Sequence, residues 1–532
     1  MIKEKKDIFW NNLITVVFLG SVFFTSEKFN STQNSIKYYY TALSTIVGVI
    51  FFILKKPKFN TILYNNYLTV QKGLFSVGLL QAFYGILQFF GACSSNHHLF
   101  KVTGSFENPA GFASVISLLY PIGLYWCLKL KGLERCIFLG SSIIILISVI
   151  LSGSRTGMLA VLTSTITLLL LETNVKSKLI KSKYLMLIAI SLFSVLFLLY
   201  KWKSDSVGGR ILIWRVSTEM IKNKPLFGFG INGFQSNYMD YQARYFKQKE
   251  SSKYEYLADN VTNPFNEFVR ITVNFGFIGL LIFLIFLCFI FFRLLKFKRA
   301  QRSVLLCIYV SLLIFSCFSY PFHYAHVWFL MGYFTLILLA DKLPVREIPL
   351  IVRVLIICLC FMNFFIITFK MCNDLQWKDI SQKSLHGRTK EMLPKFAELY
   401  PKMKRNELFL YNYGAELNYA GYYRESTEIM NECCKKINDY DLQMILADNY
   451  YHLKYTLKAL ETYKNAADMI PCRFLPLYCQ FEIYKESGDV NNAIRMAQII
   501  VSKRVKVKSI AVNWIIEAAK EYLKEINQQH DK

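Results

Sequence analysis

The chain has 532 residues, of which 54% are hydrophobic and 16% aromatic, with a mean hydropathy of +0.31. Such a composition excludes a single water-soluble globule and reads as a protein that crosses a bilayer many times. The formal charge of +26 follows from where the basic residues sit, which is a topology signal, and nucleic-acid binding is set aside.

Apolar runs predict about eleven spans, near 8–25, 38–54, 68–91, 109–129, 136–151, 157–171, 184–200, 266–292, 303–320, 324–340 and 350–369. The first follows Met1-Ile2-Lys3-Glu4-Lys5-Lys6 without a small-residue cleavage site, so it is expected to be retained. Most of the thirteen cysteines lie inside spans, where they act as small hydrophobes. Cys433, Cys434, Cys472 and Cys479 in the tail lack metal-type spacing, and a tail disulfide stays open with no pairing favoured.

Basic clusters fall at the amino terminus and at every second connection after it. Examples are Lys55/Lys56/Lys58, Lys129/Lys131/Arg135 and Arg293/Lys296/Lys298/Arg299. The positive-inside rule puts these in the cytoplasm and both the remaining connections and the carboxyl terminus outside. The outward set is 26–37, 92–108, 152–156, the long loop 201–265 and 320–326.

From about Asp374 charge rises and long apolar runs stop. Ser426, Ala459 and Ala493 fall in register, as do Gly414 with Ala447, and Gly421, Tyr455 and Gly488. Small residues repeating every 33–34 positions let antiparallel helices approach closely, and the period resembles tetratricopeptide repeats. An irregular helical domain is the alternative. A repeat tail implies a docking surface and a possible protein partner.

The outward connections hold the short motifs. In Gly104-Ser105-Phe106-Glu107-Asn108-Pro109, Asn108 is placed to cap a helix that Pro109 opens, with N–H groups that favour anions. The same pattern also describes an ordinary helix start. Ser152-Gly153-Ser154-Arg155-Thr156-Gly157 hems Arg155 between two apolar segments, either snorkelling or holding a cation at a cavity edge.

In the long loop, Arg210, Ile213, Trp214, Val216, Ser217, Met220 and Ile221 make up a helical face, which predicts an amphipathic helix on the membrane surface. Arg215, Lys222 and Lys224 add charge before Pro225. Gly228-x-Gly230-x-x-Gly233 has dinucleotide spacing but no preceding strand, so a tight turn against the membrane helices is the expectation. Asn263-Pro264-Phe265-Asn266-Glu267 opens the next span, whose first turns carry Glu267 and Arg270 away from lipid. His323 and His326 stand in a short aromatic turn. No metal-type cluster is visible, no cofactor is expected, and Asp439-Tyr440-Asp441 reads as a capped turn.

In order, Gly-x-Phe-x-Asn-Pro, Ser-Arg-x-Gly, Arg-x-x-x-Trp with Pro-Leu-x-Gly-x-Gly, and Asn-Glu-Phe followed by Phe275-Gly276-Phe277-Ile278-Gly279 resemble the O-antigen ligase and polymerase superfamily, which includes bacterial protein O-oligosaccharyltransferases. The resemblance covers roughly 8–370. It implies an all-α, GT-C-like membrane glycosyltransferase domain over 1–370 with a periplasmic loop at 201–265, and a periplasmic helical-repeat domain over 371–532. It implies a bacterial inner-membrane location and a glycan donor carried on undecaprenyl pyrophosphate. The acceptor hydroxyl would belong to another glycan, a lipid A core or a protein, and transfer would use neither metal nor nucleotide sugar.

In that reading Arg155 and Arg210 hold the pyrophosphate, with Arg215, Lys224, Asn108, Asn266 and Trp214 as further substrate contacts. Ligases of this kind carry a His-Asn pair where this chain has Phe265-Asn266. The base is therefore open among Glu267, His323, His326 and Asp259. A transporter or flippase for the same lipid-linked glycan, and a membrane-anchored repeat scaffold, are the readings outside this class.

Overall fold

The computed structural model describes residues 2–26, 33–54, 67–172, 204–248, 253–297, 299–340 and 349–530. Among them the chain is helical, joined by turns, with no strand. Six of these helices are long and apolar enough to cross a membrane, including Asn34–Leu54, Pro109–Lys129, Glu267–Leu295 and the helix that begins at Leu350. Ten of the eleven expected spans coincide with helices; the expected span at 184–200 lies outside the described residues. The described helices divide into two compact units.

The first unit gathers the described parts of Met1–Leu199, Phe265–Phe268 and Ile282–Lys378. Its helices are α1 (Ile2–Phe23), α2 (Gln33–Leu54), α3 (Tyr67–Phe89), α4 (Pro109–Lys129), α5 (Gly132–Leu151) and α6 (Arg155–Glu172), followed after the long loop by most of α9 (Glu267–Leu295), α10 (Arg299–Phe318), α11 (Ala325–Ala340) and the apolar part of α12 (Leu350–Lys383). The hub is α4, of whose most apolar stretch 83% is buried inside the protein, against none for the helix that begins at Leu350.

In lipid there is little hydrophobic drive between helices, so close approach at small residues decides the packing. A Cβ on Gly123 would sit 2.3 Å from the Phe75 ring, and one on Gly157 2.9 Å from Ala113. Serine hydroxyls add inter-helix bonds, Ser148 to the Ala82 carbonyl at 2.8 Å and Ser117 to the Gly157 carbonyl at 3.3 Å. At the far end of α4, Lys129 pairs with Glu172 at 2.5 Å.

The second unit gathers the described parts of Tyr200–Pro264, Val269–Leu281 and Asp379–Lys532. It begins with α7 (Ser204–Asn223) and α8 (Gly233–Gln248), and after α13 (Thr389–Met403) continues as three helix pairs: α14 (Glu407–Tyr419) with α15 (Tyr423–Cys434), α16 (Tyr440–His452) with α17 (Thr456–Met469), and α18 (Leu475–Glu486) with α19 (Val490–Ser502), closed by α20 (Ile510–His530). The small residues act as expected. Ala447, Ala459 and Ala493 are fully buried, and the Ser426 hydroxyl donates to the Gly414 carbonyl at 2.7 Å.

One register assignment is corrected. The left-handed residues that end the first helix of each pair are Gly421 (φ 87°), Lys454 (φ 64°) and Gly488 (φ 74°), so Lys454 rather than Tyr455 is the equivalent of the glycines. All thirteen cysteines are free thiols.

Candidate functional site

In the first unit, helix starts and turns converge at the end of α4 that carries Asn108. The Asn108 carboxamide oxygen accepts from the Gly111 N–H at 3.0 Å and from the Tyr324 hydroxyl at 2.9 Å, so one side chain caps α4 and ties it to the turn before α11. The loop before it is held by Gln88. Its oxygen accepts from the N–H of Gly104 at 2.7 Å, and its amide donates to the Gly104 carbonyl at 3.0 Å. Ser105 donates to the Val22 carbonyl at 2.6 Å, and the fully buried Lys37 donates to the same carbonyl at 2.5 Å. The Lys37 ammonium lies 4.7 Å from the centre of the Phe106 ring, which also meets Tyr324 and His326 edge-on.

Ser114 and Ser117, three apart on α4, share a face. Ser114 Oγ pairs with His326 Nε2 at 2.9 Å, and Ser117 holds the first turn of α6, which Arg155 opens. Arg155 is half-buried. Thr156 donates to the Phe318 carbonyl at 3.3 Å, joining that turn to the end of α10. The two histidines part company: His326 is fully buried, whereas His323 is exposed between Tyr320 and Tyr324. The buried Glu267 accepts the Phe322 N–H at 3.2 Å, fixing the Pro321–His323 turn.

Phe265 has φ 53°, an outlier for a bulky residue, and its ring stands 5.5 Å from Tyr320. Asn266 follows it, half-buried. Beside these elements α1, α2, α11 and α12 enclose an apolar cleft of about 840 Å³, lined by Ile14, Thr41, Val49, Trp328, Tyr333 and Asn363 among others.

In the second unit, Arg210, Trp214 and Arg215 lie on α7. The expected surface helix is corrected here. Leu212, Ile213, Val216 and Met220 are buried within the unit, where α8 and the Glu255–Leu257 turn pack on α7. Trp214 Nε1 donates to the Pro264 carbonyl at 2.9 Å. Arg210 is half-buried; Arg215 is exposed, 5.4 Å from the Tyr254 ring, and the exposed Lys224 lies 4.6 Å over Phe229.

The glycine turn after Pro225 lies against the apolar helix α9. Helix α9 is broken at Gly276 (φ 66°, ψ −169°), which frees backbone groups. The N–H groups of Phe229 and Gly230 donate to the carbonyls of Val273 and Asn274 at 2.9 and 2.7 Å, and Phe277 N–H donates to the Pro225 carbonyl at 2.7 Å. Irregular backbone inside an apolar helix survives only where such partners are supplied. Asp259 is exposed and pairs with Arg473 at 3.9 Å. Asp439 caps α16 by accepting the Leu442 N–H at 2.9 Å.

The first unit thus brings Asn108, Glu267, His326 and the turn of His323 together, with Arg155 opening the helix α6 that packs on α4; Arg210, Trp214, Arg215 and Lys224 share the second unit's hairpin. Sequence reading missed Lys37, Gln88, Ser114 and Tyr324. Their signal was polar residues inside apolar runs, which are expensive in a bilayer without partners. Among the described residues no group of three His, Cys, Asp or Glu side chains is placed to hold a metal ion.

Residues 140–284 match the family model described as O-antigen ligase. The O-antigen ligase match runs from within α5 into α9 and contains Arg155, Arg210, Trp214, Arg215, Lys224, Asn266 and Glu267. Asn108, His323, His326 and the helical-repeat tail lie outside it. No curated protein matches the chain. Among solved structures, the "APC/C hetero-tetramer Cut9-Hcn1" aligns at 10% identity over 91% of this chain and 90% of that one, with a TM-score of 0.24, too low to carry an argument.

Proposed function

We propose that this protein is a membrane glycosyltransferase of the O-antigen ligase and polymerase type. It moves an oligo- or polysaccharide from undecaprenyl pyrophosphate to an acceptor hydroxyl on the periplasmic side of the bacterial inner membrane. The observation that carries this is the O-antigen ligase match over the segment holding both Arg155 and Arg210. The apolar cleft beside α2 and α12 supports a substrate with a long lipid chain.

In the reaction the acceptor oxygen attacks the anomeric carbon, the bond from that carbon to the pyrophosphate oxygen breaks, and the diphosphate leaves with the electron pair. Arg155 and Arg210 are the cations assigned to it, because a guanidinium fork fits phosphate oxygens and fixed charge is worth most where water is scarce. The acceptor proton goes to His323. Of the four base candidates, His326 is sealed against Ser114, Glu267 holds a backbone N–H and Asp259 faces Arg473, whereas the His323 ring is exposed.

The test is transfer of a lipid-linked glycan by purified protein in nanodiscs. Arg155→Ala and Arg210→Ala should each slow transfer about 100-fold or more. His323→Gln should lower kcat roughly 100-fold with KM little changed, whereas His326→Gln should chiefly lower thermal stability. Full activity in both arginine variants, or translocation of the lipid without transfer, overturns the reading.

A further inference from the structure

We propose that the ligand of the helical-repeat tail is this chain's own loop: α8 is latched onto one helix pair, at the turn before α16 and along α17, and the latch positions the hairpin that carries Arg210, Arg215 and Lys224. Its catalytic consequence rests on the function proposed above; the latch itself does not.

The interface is polar and partly buried. Asp240 on α8 is largely buried, and burial pushes its carboxyl above the usual range while the amides of Asn438 and Asn465 and the charge of Arg244 oppose that rise. The Asn438 amide donates to Asp240 Oδ2 at 2.9 Å, and Asn465 donates to Oδ1 at 3.4 Å. Gln443 donates to the Asn438 oxygen at 2.8 Å, which turns the Asn438 NH₂ toward the carboxylate. The Asn438 N–H also donates to the Gln235 carbonyl at 3.1 Å.

Two residues on, the fully buried Gln242 accepts from Tyr238 at 2.9 Å and donates to the Met469 carbonyl at 2.8 Å, at the end of α17. Downstream, Asn260 donates to Asp441 at 2.9 Å and accepts the Tyr440 N–H at 3.1 Å. The loop therefore reads the turn before α16 and the end of α17 together.

An apolar groove would take α8 in several registers. Buried amide and carboxylate groups tolerate one, because each group left unpaired out of water is penalised. The hairpin is thus tied at the tail by Asp240 and Gln242, and at its other end by the hydrogen bonds across the Gly276 break. Cations held at both ends suit electrostatic stabilisation that must not reorganise during reaction. This face of the tail is occupied, so an external partner would use another.

The experiment exchanges the paired groups in the full-length protein in nanodiscs, reading amide hydrogen exchange of residues 233–248 and glycan transfer in parallel. Asn438→Asp sets two carboxylates against each other and should speed exchange in α8 roughly tenfold or more, with a matching fall in transfer. The swap of Asp240→Asn with Asn438→Asp rebuilds one carboxylate and one amide, and should return both readouts to within about threefold of the original. Asn438→Ala removes the donor without adding charge, so it decides the matter if Asn438→Asp fails to fold. Unchanged exchange in the single variants overturns the latch, as does failure of the swap to restore it. Faster exchange with unimpaired transfer overturns the positioning role. Absence of transfer in the unsubstituted protein strikes the proposed function alone, since exchange still reads the latch.

Discussion

Lys454 is the clearest case of a residue whose neighbours choose its backbone. It occupies a left-handed turn that Gly421 and Gly488 fill in the adjacent repeats, a conformation that strains a side-chain-bearing residue by about 1 kcal/mol. Lys454→Gly is therefore expected to stabilise the tail by up to about 1 kcal/mol, read as a higher denaturation midpoint at unchanged slope. Asn108 and Pro109 were legible as a helix start because capping is local. Tyr324 as the partner of Asn108, and Ser114 as the partner of His326, were not, since they lie 216 and 212 positions away. Lys37 was read past because it stands in the outward connection just ahead of the expected span 38–54, where a charge is ordinary, and the sequence does not show the Val22 carbonyl and Phe106 ring that receive it.

Two elements carry the argument at the next scale. The first is the break in α9. A Cβ on Gly276 would sit 2.1 Å from the Leu226 carbonyl oxygen at a φ that side chains avoid. Gly276→Ala should thus cost about 2 kcal/mol or more of stability and abolish transfer, checked by thermal unfolding in detergent and by the nanodisc assay. The second is α8. Because burial raises the Asp240 carboxyl in the folded protein, the fold favours its protonated form. Its contribution is fully present below the ordinary carboxylate value and is lost as pH rises through the raised one. Arg244, Asn438 and Asn465 limit the size of the effect. Tail stability measured between about pH 4 and 7 should decline with rising pH, and Asp240→Asn should flatten that slope. The glycine spacing at 228–233 announced a turn against the membrane helices, but not which helix or which carbonyls would receive it. A broken helix leaves no mark on an uninterrupted apolar run beyond one glycine.

Over the whole molecule, the alternation of basic connections predicts that the tail and the loop 201–265 share one side of the membrane. Cysteines placed at exposed positions such as Leu457 or Ile510, in an otherwise cysteine-free chain, should react with an impermeant maleimide in intact spheroplasts. One placed among Lys129–Lys131 should react only after permeabilisation. Helix α12 runs unbroken from the apolar stretch past Asp374, and Tyr39 donates to Asp374 at 2.5 Å.

Sequence alone determined the apolar runs, the charge alternation, the repeat period and the caps, because hydropathy, dihedral preference and capping act within a turn or two of chain. Only the tertiary structure decided which faces are covered. The apolar stripe of α7 is buried by its own hairpin rather than by lipid, His326 is sealed while the nearby His323 is exposed, and the tail grips α8. Those outcomes depend on hydrogen bonds such as Gln242 to Met469, 227 positions apart, and no local pattern encodes which distant group will satisfy a buried one.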